Sequence, residues 1–103
     1  MLKASSRMKS EVVIRDEPGE YRINARYSED GSFDVTGESS HPMTLTVRVE
    51  DVWNRMPREL RKFSYEAKVW RDGSDAPQHF LEDVAPDARI FLDFATSFRI
   101  EFR

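Results

Sequence analysis

The chain has two histidines, His41 and His79, and no cysteine, so few of its side chains could act as an acid, a base or a nucleophile near neutral pH. His41 follows two serines, but no strand-to-helix G-x-S-x-G elbow surrounds them. We interpret His41 as an exposed loop histidine. A small hydrolase that uses one of the two histidines as its base is one of three functions that the sequence leaves open.

His79 precedes Glu82 and Asp83 at a spacing that would place all three on one face of a helix. A protein metal centre usually takes three or four ligands, most of them histidine or cysteine for zinc. The four glycines stand alone, so no run of backbone N–H groups is indicated that could cradle a phosphate. The sequence therefore predicts neither a metal nor a cofactor, and we expect a protein that is not an enzyme.

Charge is unevenly distributed along the chain. The net charge is −3 and the sequence pI is about 5.4, which argues against nucleic acid as the main ligand. Arg55, Arg58, Arg61 and Lys62 surround one acid, whereas the acids from residue 72 to residue 93 surround one arginine. A basic and an acidic patch on one small domain can steer a partner to a particular face.

The candidate partner-binding residues are Arg55, Arg58, Lys62 and Trp70. If this segment is helical, the three cations project from the side opposite the apolar residues Met56, Leu60 and Phe63, which leaves them together in solvent. Trp70 is flanked by basic residues, and an exposed tryptophan in such a setting can anchor a protein or stack on a base. We hypothesise that these residues meet an acidic surface of another protein, with the acidic segment of residues 72–93 as the other candidate interface.

Most of the chain shows the alternation of apolar and polar residues that is typical of half-buried strands. Residues 11–16 and 20–27 flank Pro18-Gly19 and predict a hairpin, and residues 43–50 alternate most regularly. The Asp-Gly pairs at residues 30–31 and 72–73 predict tight turns. Two strands are predicted at the end of the chain, over residues 89–94 and 97–103.

Three segments are not predicted as strands. Residues 37–42 are interpreted as a polar loop, and residues 78–84, between two prolines, as a short helix. The period changes to 3.6 after residue 48, which predicts an amphipathic helix whose first residue is Pro57, after a short turn that follows Asp51. The whole segment of period 3.6 has an apolar arc that comprises Val49, Val52, Trp53, Met56, Leu60 and Phe63.

The predicted fold class is mainly β (α+β), with a small antiparallel sheet or open barrel packed on one short amphipathic helix. A helix after the third or fourth strand gives an order similar to that of the OB fold, in which oligonucleotides lie across the barrel face. We expect a flexible tail over residues 1–9 and one β-rich domain over residues 10–103. No apolar run approaches the ~20 residues of a membrane-spanning helix.

Together these observations favour a small cytoplasmic protein that acts through protein–protein contact, without a cofactor and without a membrane. Inhibitors, immunity proteins and adaptors of phages or other mobile elements are of this class. The alternative is an OB-like domain that binds single-stranded nucleic acid through Arg55, Arg58, Lys62 and Trp70.

Overall fold

Six strands and one short α-helix make up the part of the chain that the structure describes. A computed structural model describes the backbone of residues 8–16 and 19–103 and the side chains of residues 22–103. The elements are β1 (Met8–Asp16), β2 (Gly19–Tyr27), β3 (Phe33–Arg48), α1 (Val49–Trp53), a 3₁₀ turn (Arg58–Leu60), β4 (Tyr65–Arg71), β5 (His79–Val84) and β6 (Arg89–Phe102). The predicted class, a mainly β chain with a small antiparallel sheet and one short helix, is confirmed.

The strands form one sheet in the order β1-β2-β3-β6-β4-β5, and all of its ladders are antiparallel. Asp16 pairs with Gly19, so the predicted first hairpin is confirmed. Three strands precede the helix, as in the OB-like order, but three follow it, and the sheet is open between its edge strands β1 and β5. Strand β1 begins at Met8, inside the predicted tail of residues 1–9. Residues 1–7 lie outside the described part of the chain.

Strands β3 and β6 are long and bend together. Residues 33–38 pair with residues 97–102, whereas residues 43–48 pair with residues 89–95, and the register shifts between the two parts. At this bend Phe94 adopts a φ of 48°, which is uncommon for a bulky residue. Apolar residues from both parts of the ladder belong to one buried cluster. The bent ladder therefore covers a core that a flat sheet would leave open on one side.

Four aromatic side chains, Tyr27, Phe33, Tyr65 and Phe102, form an aromatic cluster at one end of the core. The rings of Phe33 and Phe102 stack with their centroids 4.5 Å apart, and Tyr65 meets Phe33 edge-on at 5.2 Å. All four side chains are at most 1% exposed. The cluster joins β2, β3, β4 and β6, because each of these strands contributes one ring.

Three predictions about the strands were wrong. Residues 37–42, predicted as a polar loop, lie within β3, where a side chain at Gly37 would clash with the ring of Phe98. Residues 79–84, predicted as helix, form β5, because pairing with β4 buries Val84 and partly buries Leu81. The two predicted C-terminal strands are one strand, β6, with a bend at Phe94.

The predicted helix that starts at Pro57 was also wrong. The α-helix α1 lies before the proline, and only the single 3₁₀ turn follows it. A proline disfavours helical backbone at the residue before it, so α1 ends short of Met56. Met56 is buried, as predicted, but Phe63 is 72% exposed. Within the described residues, no helix is long and apolar enough to cross a membrane.

The predicted turn at Asp72-Gly73 is confirmed, since both residues have positive φ, 52° and 72°. The Asp72 carboxylate accepts hydrogen bonds from the backbone N–H of Thr96 at 2.9 Å and from the Thr96 hydroxyl at 3.0 Å. These bonds favour the charged carboxylate and lower the pKa of Asp72 below its ordinary value. The turn after β4 is thereby fastened to β6 next to its bend.

Asp72→Asn is expected to change how stability depends on pH. Because folding lowers the pKa of Asp72, its contribution is present above the pKa of the unfolded state and is lost as the pH falls through the lower folded pKa. The melting temperature of the variant should therefore be lower than that of the parent at pH 7, and the difference should shrink below about pH 4. Asp75→Asn, an exposed acid nearby, is the control, and equal pH profiles for the two variants would contradict the account.

Phe102→Ala is expected to lower the free energy of unfolding by ~3–5 kcal/mol, because it removes a stacked, buried ring from the aromatic cluster. Phe94→Ala removes an equally large side chain that is 69% exposed, and we expect a change of less than ~0.5 kcal/mol. Urea unfolding measures both. A Phe102→Ala variant as stable as Phe94→Ala would show that the cluster does not hold the sheet.

Candidate functional site

The chain between α1 and β4 forms an exposed basic surface. We call residues 53–63 the basic loop, which holds four basic residues and one acid, a local charge of +3 in a chain of net charge −3. Arg55, Arg58 and Lys62 are exposed. Among the described residues, no carboxylate lies within ion-pair distance of these three cations. Arg55 and Arg58 therefore direct their charge to solvent, whereas the Lys62 ammonium lies 5.4 Å from the centre of the Tyr65 ring.

Arg61 and Trp53 hold the loop in one conformation. The Arg61 guanidinium donates hydrogen bonds to the backbone carbonyls of Met56 at 3.0 Å and Asn54 at 2.8 Å. It also lies 4.8 Å from the centre of the Trp53 ring, whose indole N–H donates to the carbonyl of Lys62 at 2.8 Å. These contacts cross the loop and satisfy carbonyls that follow the short helix. The Arg61 side chain thus has a structural role that distinguishes it from the exposed Arg55 and Arg58.

A second set of contacts fixes the end of the loop to the core. The Tyr65 hydroxyl donates to the carbonyl of Gly31 at 3.0 Å and accepts from the backbone N–H of Lys62 at 3.1 Å. Burial raises the pKa of Tyr65, so its hydroxyl stays protonated as a donor. Gly31 has a φ of 89°, and a side chain there would lie 2.5 Å from the carbonyl oxygen of Leu60. The predicted turn at residues 30–31 therefore also lets the backbone of the basic loop pack closely against it, because Gly31 has no side chain.

Phe63 projects from this fixed loop into solvent. It is 72% exposed, and its ring packs edge-on against Trp53 with the centroids 5.5 Å apart. An exposed aromatic ring on a rigid base, next to cations, is the kind of residue that anchors protein interfaces. Phe63 was not among the predicted site residues, because the helical period placed its ring on a buried arc. Pro57, which interrupts that helix, is the signal that could have revealed it.

Trp70 lies apart from the basic loop. In β4 the buried Val69 points to the core and the half-buried Trp70 to the opposite face of the sheet, which we call the outer face. The Arg99 guanidinium covers the Trp70 ring at 3.9 Å and pairs with Glu101. The loop, in contrast, packs on the core side through Met56, which belongs to the buried core cluster. The structure thus brings Arg55, Arg58 and Lys62 into one loop and does not bring Trp70 to them.

Both histidines are exposed. His41 lies at the bend of β3, where its Nδ1 is 3.1 Å from the Ser40 hydroxyl. His79 begins the edge strand β5 and lines a groove described below. In the part of the chain with described side chains, no group of three or more histidine, aspartate or glutamate residues could hold a metal ion.

A groove opens between β5 and the first part of β6. Its volume is about 210 Å³, and it is lined by Val69, His79, Leu81, Arg89, Ile90 and Phe91. Strand β4 pairs with β6 only over residues 98–102, so the edge of β6 from Arg89 to Phe91 has no β4 residue beside it. The lining is mostly apolar, and Phe91 is 72% exposed.

Comparisons with protein-family models, with curated proteins and with solved structures found no match to this chain.

Arg61→Ala is expected to lower the free energy of unfolding by ~1–2 kcal/mol, because two backbone carbonyls lose a charged donor. Arg58→Ala removes a neighbouring arginine that is exposed and makes no such bond, and its effect should stay below ~0.5 kcal/mol. Chemical unfolding of both variants measures the difference. An equal loss in the two variants would mean that Arg61 does not hold the loop.

Proposed function

We propose that the protein is a non-enzymatic binding protein whose basic loop docks onto an acidic surface of another protein. The observation that carries this proposal is the exposed Phe63 ring, held on Trp53 and flanked by cations without ion pairs. A ring on a rigid base loses little conformational entropy when it is buried, and unpaired cations steer an acidic partner toward it. We place the protein among small cytoplasmic inhibitors, immunity proteins or adaptors, including those encoded by phages and mobile elements.

Binding of single-stranded nucleic acid is the competing proposal, and two observations make it weaker. Base stacking needs an open aromatic face, but the Trp70 ring is covered on one side by Arg99. The outer face around Trp70 also carries the carboxylates of Asp34 and Glu101, which pair with Arg103. Arg99 and Arg103 pair with these acids, so a phosphate backbone would meet mixed, paired charges on this face and no uniformly basic track.

The double charge reversal Arg55→Glu with Arg58→Glu tests the proposal. The immobilised protein is incubated with a nuclease-treated extract of the cells that encode it, and the retained proteins are identified. Like charges across an interface disfavour binding strongly, so the double variant should retain about tenfold less of the partner, or none. The melting temperature should change little, because both residues are exposed.

Arg26→Glu with Lys68→Glu is the matched control, since it changes the net charge equally at two exposed cations that lie outside both the basic loop and the groove between β5 and β6. It should retain the partner as the parent does. Equal retention by the loop variant and the control would contradict the proposal. A direct titration with a 20-nucleotide oligo(dT) adds the competing outcome, because binding that falls steeply with salt and is lost in the loop variant would establish a nucleic-acid binder instead.

A further inference from the structure

The groove between β5 and β6 has the size and lining to receive one aromatic ring. A buried cavity of about 150 Å³ lined by aliphatic and aromatic side chains accommodates benzene, and this groove measures about 210 Å³. Val69, Leu81, Ile90 and Phe91 supply its apolar lining. Phe63 does not fill it within the same chain, because Phe63 packs on Trp53 and is absent from the lining.

The segment that forms the groove is acidic. Residues 75–93 provide five of the six lining residues, and they carry five carboxylates and one arginine, a local charge of −4. All five of these acids are exposed. The chain therefore carries an exposed phenylalanine in a segment of charge +3 and an apolar groove in a segment of charge −4, as separate surfaces.

We propose that the basic loop of one copy of this chain docks on a second copy, with Phe63 inserted in the second copy's groove between β5 and β6. The proposal rests on the function proposed above for the basic loop and identifies the acidic partner surface as the chain's own. Complementary charge selects the occupant, because the loop and the groove segment attract each other across the contact. Each loop–groove contact joins two different surfaces, so a dimer held by one such contact is head-to-tail and leaves one loop and one groove unoccupied.

Three variants with one exposed phenylalanine replaced test this contact. Phe63→Ser removes the inserted ring, Phe91→Ser alters the groove, and Phe94→Ser is the control outside both surfaces. These phenylalanines are 72%, 72% and 69% exposed, so the folded state should survive each change. Circular dichroism checks folding, and light scattering after size-exclusion chromatography gives the mass of the purified protein up to ~0.5 mM, a range suited to weak association.

The parent and the Phe94→Ser variant should rise above the single-chain mass as concentration increases, and about 0.5 M salt should reverse the rise. Phe63→Ser and Phe91→Ser should each stay monomeric alone. An equal mixture of these two should form dimers of twice the chain mass, because one supplies an intact groove and the other an intact loop. Recovery in the mixture is specific to a contact between two different surfaces, the loop of one copy and the groove of the other.

A parent that stays monomeric at ~0.5 mM would overturn the inference, as would a mixture that does not associate. Self-association that persists in both single variants would also overturn it, since another surface would then be responsible. The function proposed for the loop is judged separately by capture from the extract. A monomeric parent whose loop still retains a foreign protein would therefore reject the second copy as partner and leave the loop's function supported.

Discussion

The stacking of Phe33 on Phe102, closed edge-on by Tyr65, is the contact on which both the sheet and the basic loop depend. It joins the middle strands of the sheet, and Tyr65 extends it to the loop through its hydroxyl. Tyr27 makes a parallel link, since its hydroxyl donates to the carbonyl of Val52 at 2.7 Å. The same aromatic rings that bury apolar surface thus position the exposed cations.

A single sheet with a helix of five residues has too little helical surface to cover its apolar face. The bent ladder of β3 and β6 covers part of that face, and the basic loop covers the end next to the aromatic cluster. The loop must therefore pack on its inner side, through Met56, while its outer side presents the cations and the exposed Phe63 ring. This division gives a surface that is ordered before any partner arrives, which lowers the entropic cost of binding.

Local patterns in the sequence predicted much of the sheet. Strand alternation works where one face is buried, as in residues 43–48, and the Asp72-Gly73 turn follows from the backbone freedom of that pair. The bend was not predictable, because it comes from the pairing of residues far apart in the chain. Strand β5 was missed for the same reason, since its pairing with β4 and not its own pattern decides its conformation.

The candidate site was predicted in part. Arg55, Arg58 and Lys62 share one exposed loop, as their charge pattern indicated, although no continuous helix presents them. Trp70 was grouped with them because it is near in sequence, but strand alternation places it on the outer face. The helical period continues past Pro57 and assigns Phe63 to the core. Predicting that Phe63 is exposed requires giving the proline more weight than this period.

The chain's two tryptophans allow the central claim, that the basic loop is the binding surface, to be measured directly. The indole N–H of Trp53 bonds within the loop, whereas Trp70 lies on the outer face under Arg99. Their two signals in an ¹⁵N–¹H NMR spectrum therefore report the two surfaces separately when the captured protein is added. We expect the Trp53 signal to shift and the Trp70 signal to stay in place. A shift of the Trp70 signal with an unchanged Trp53 signal would contradict this account.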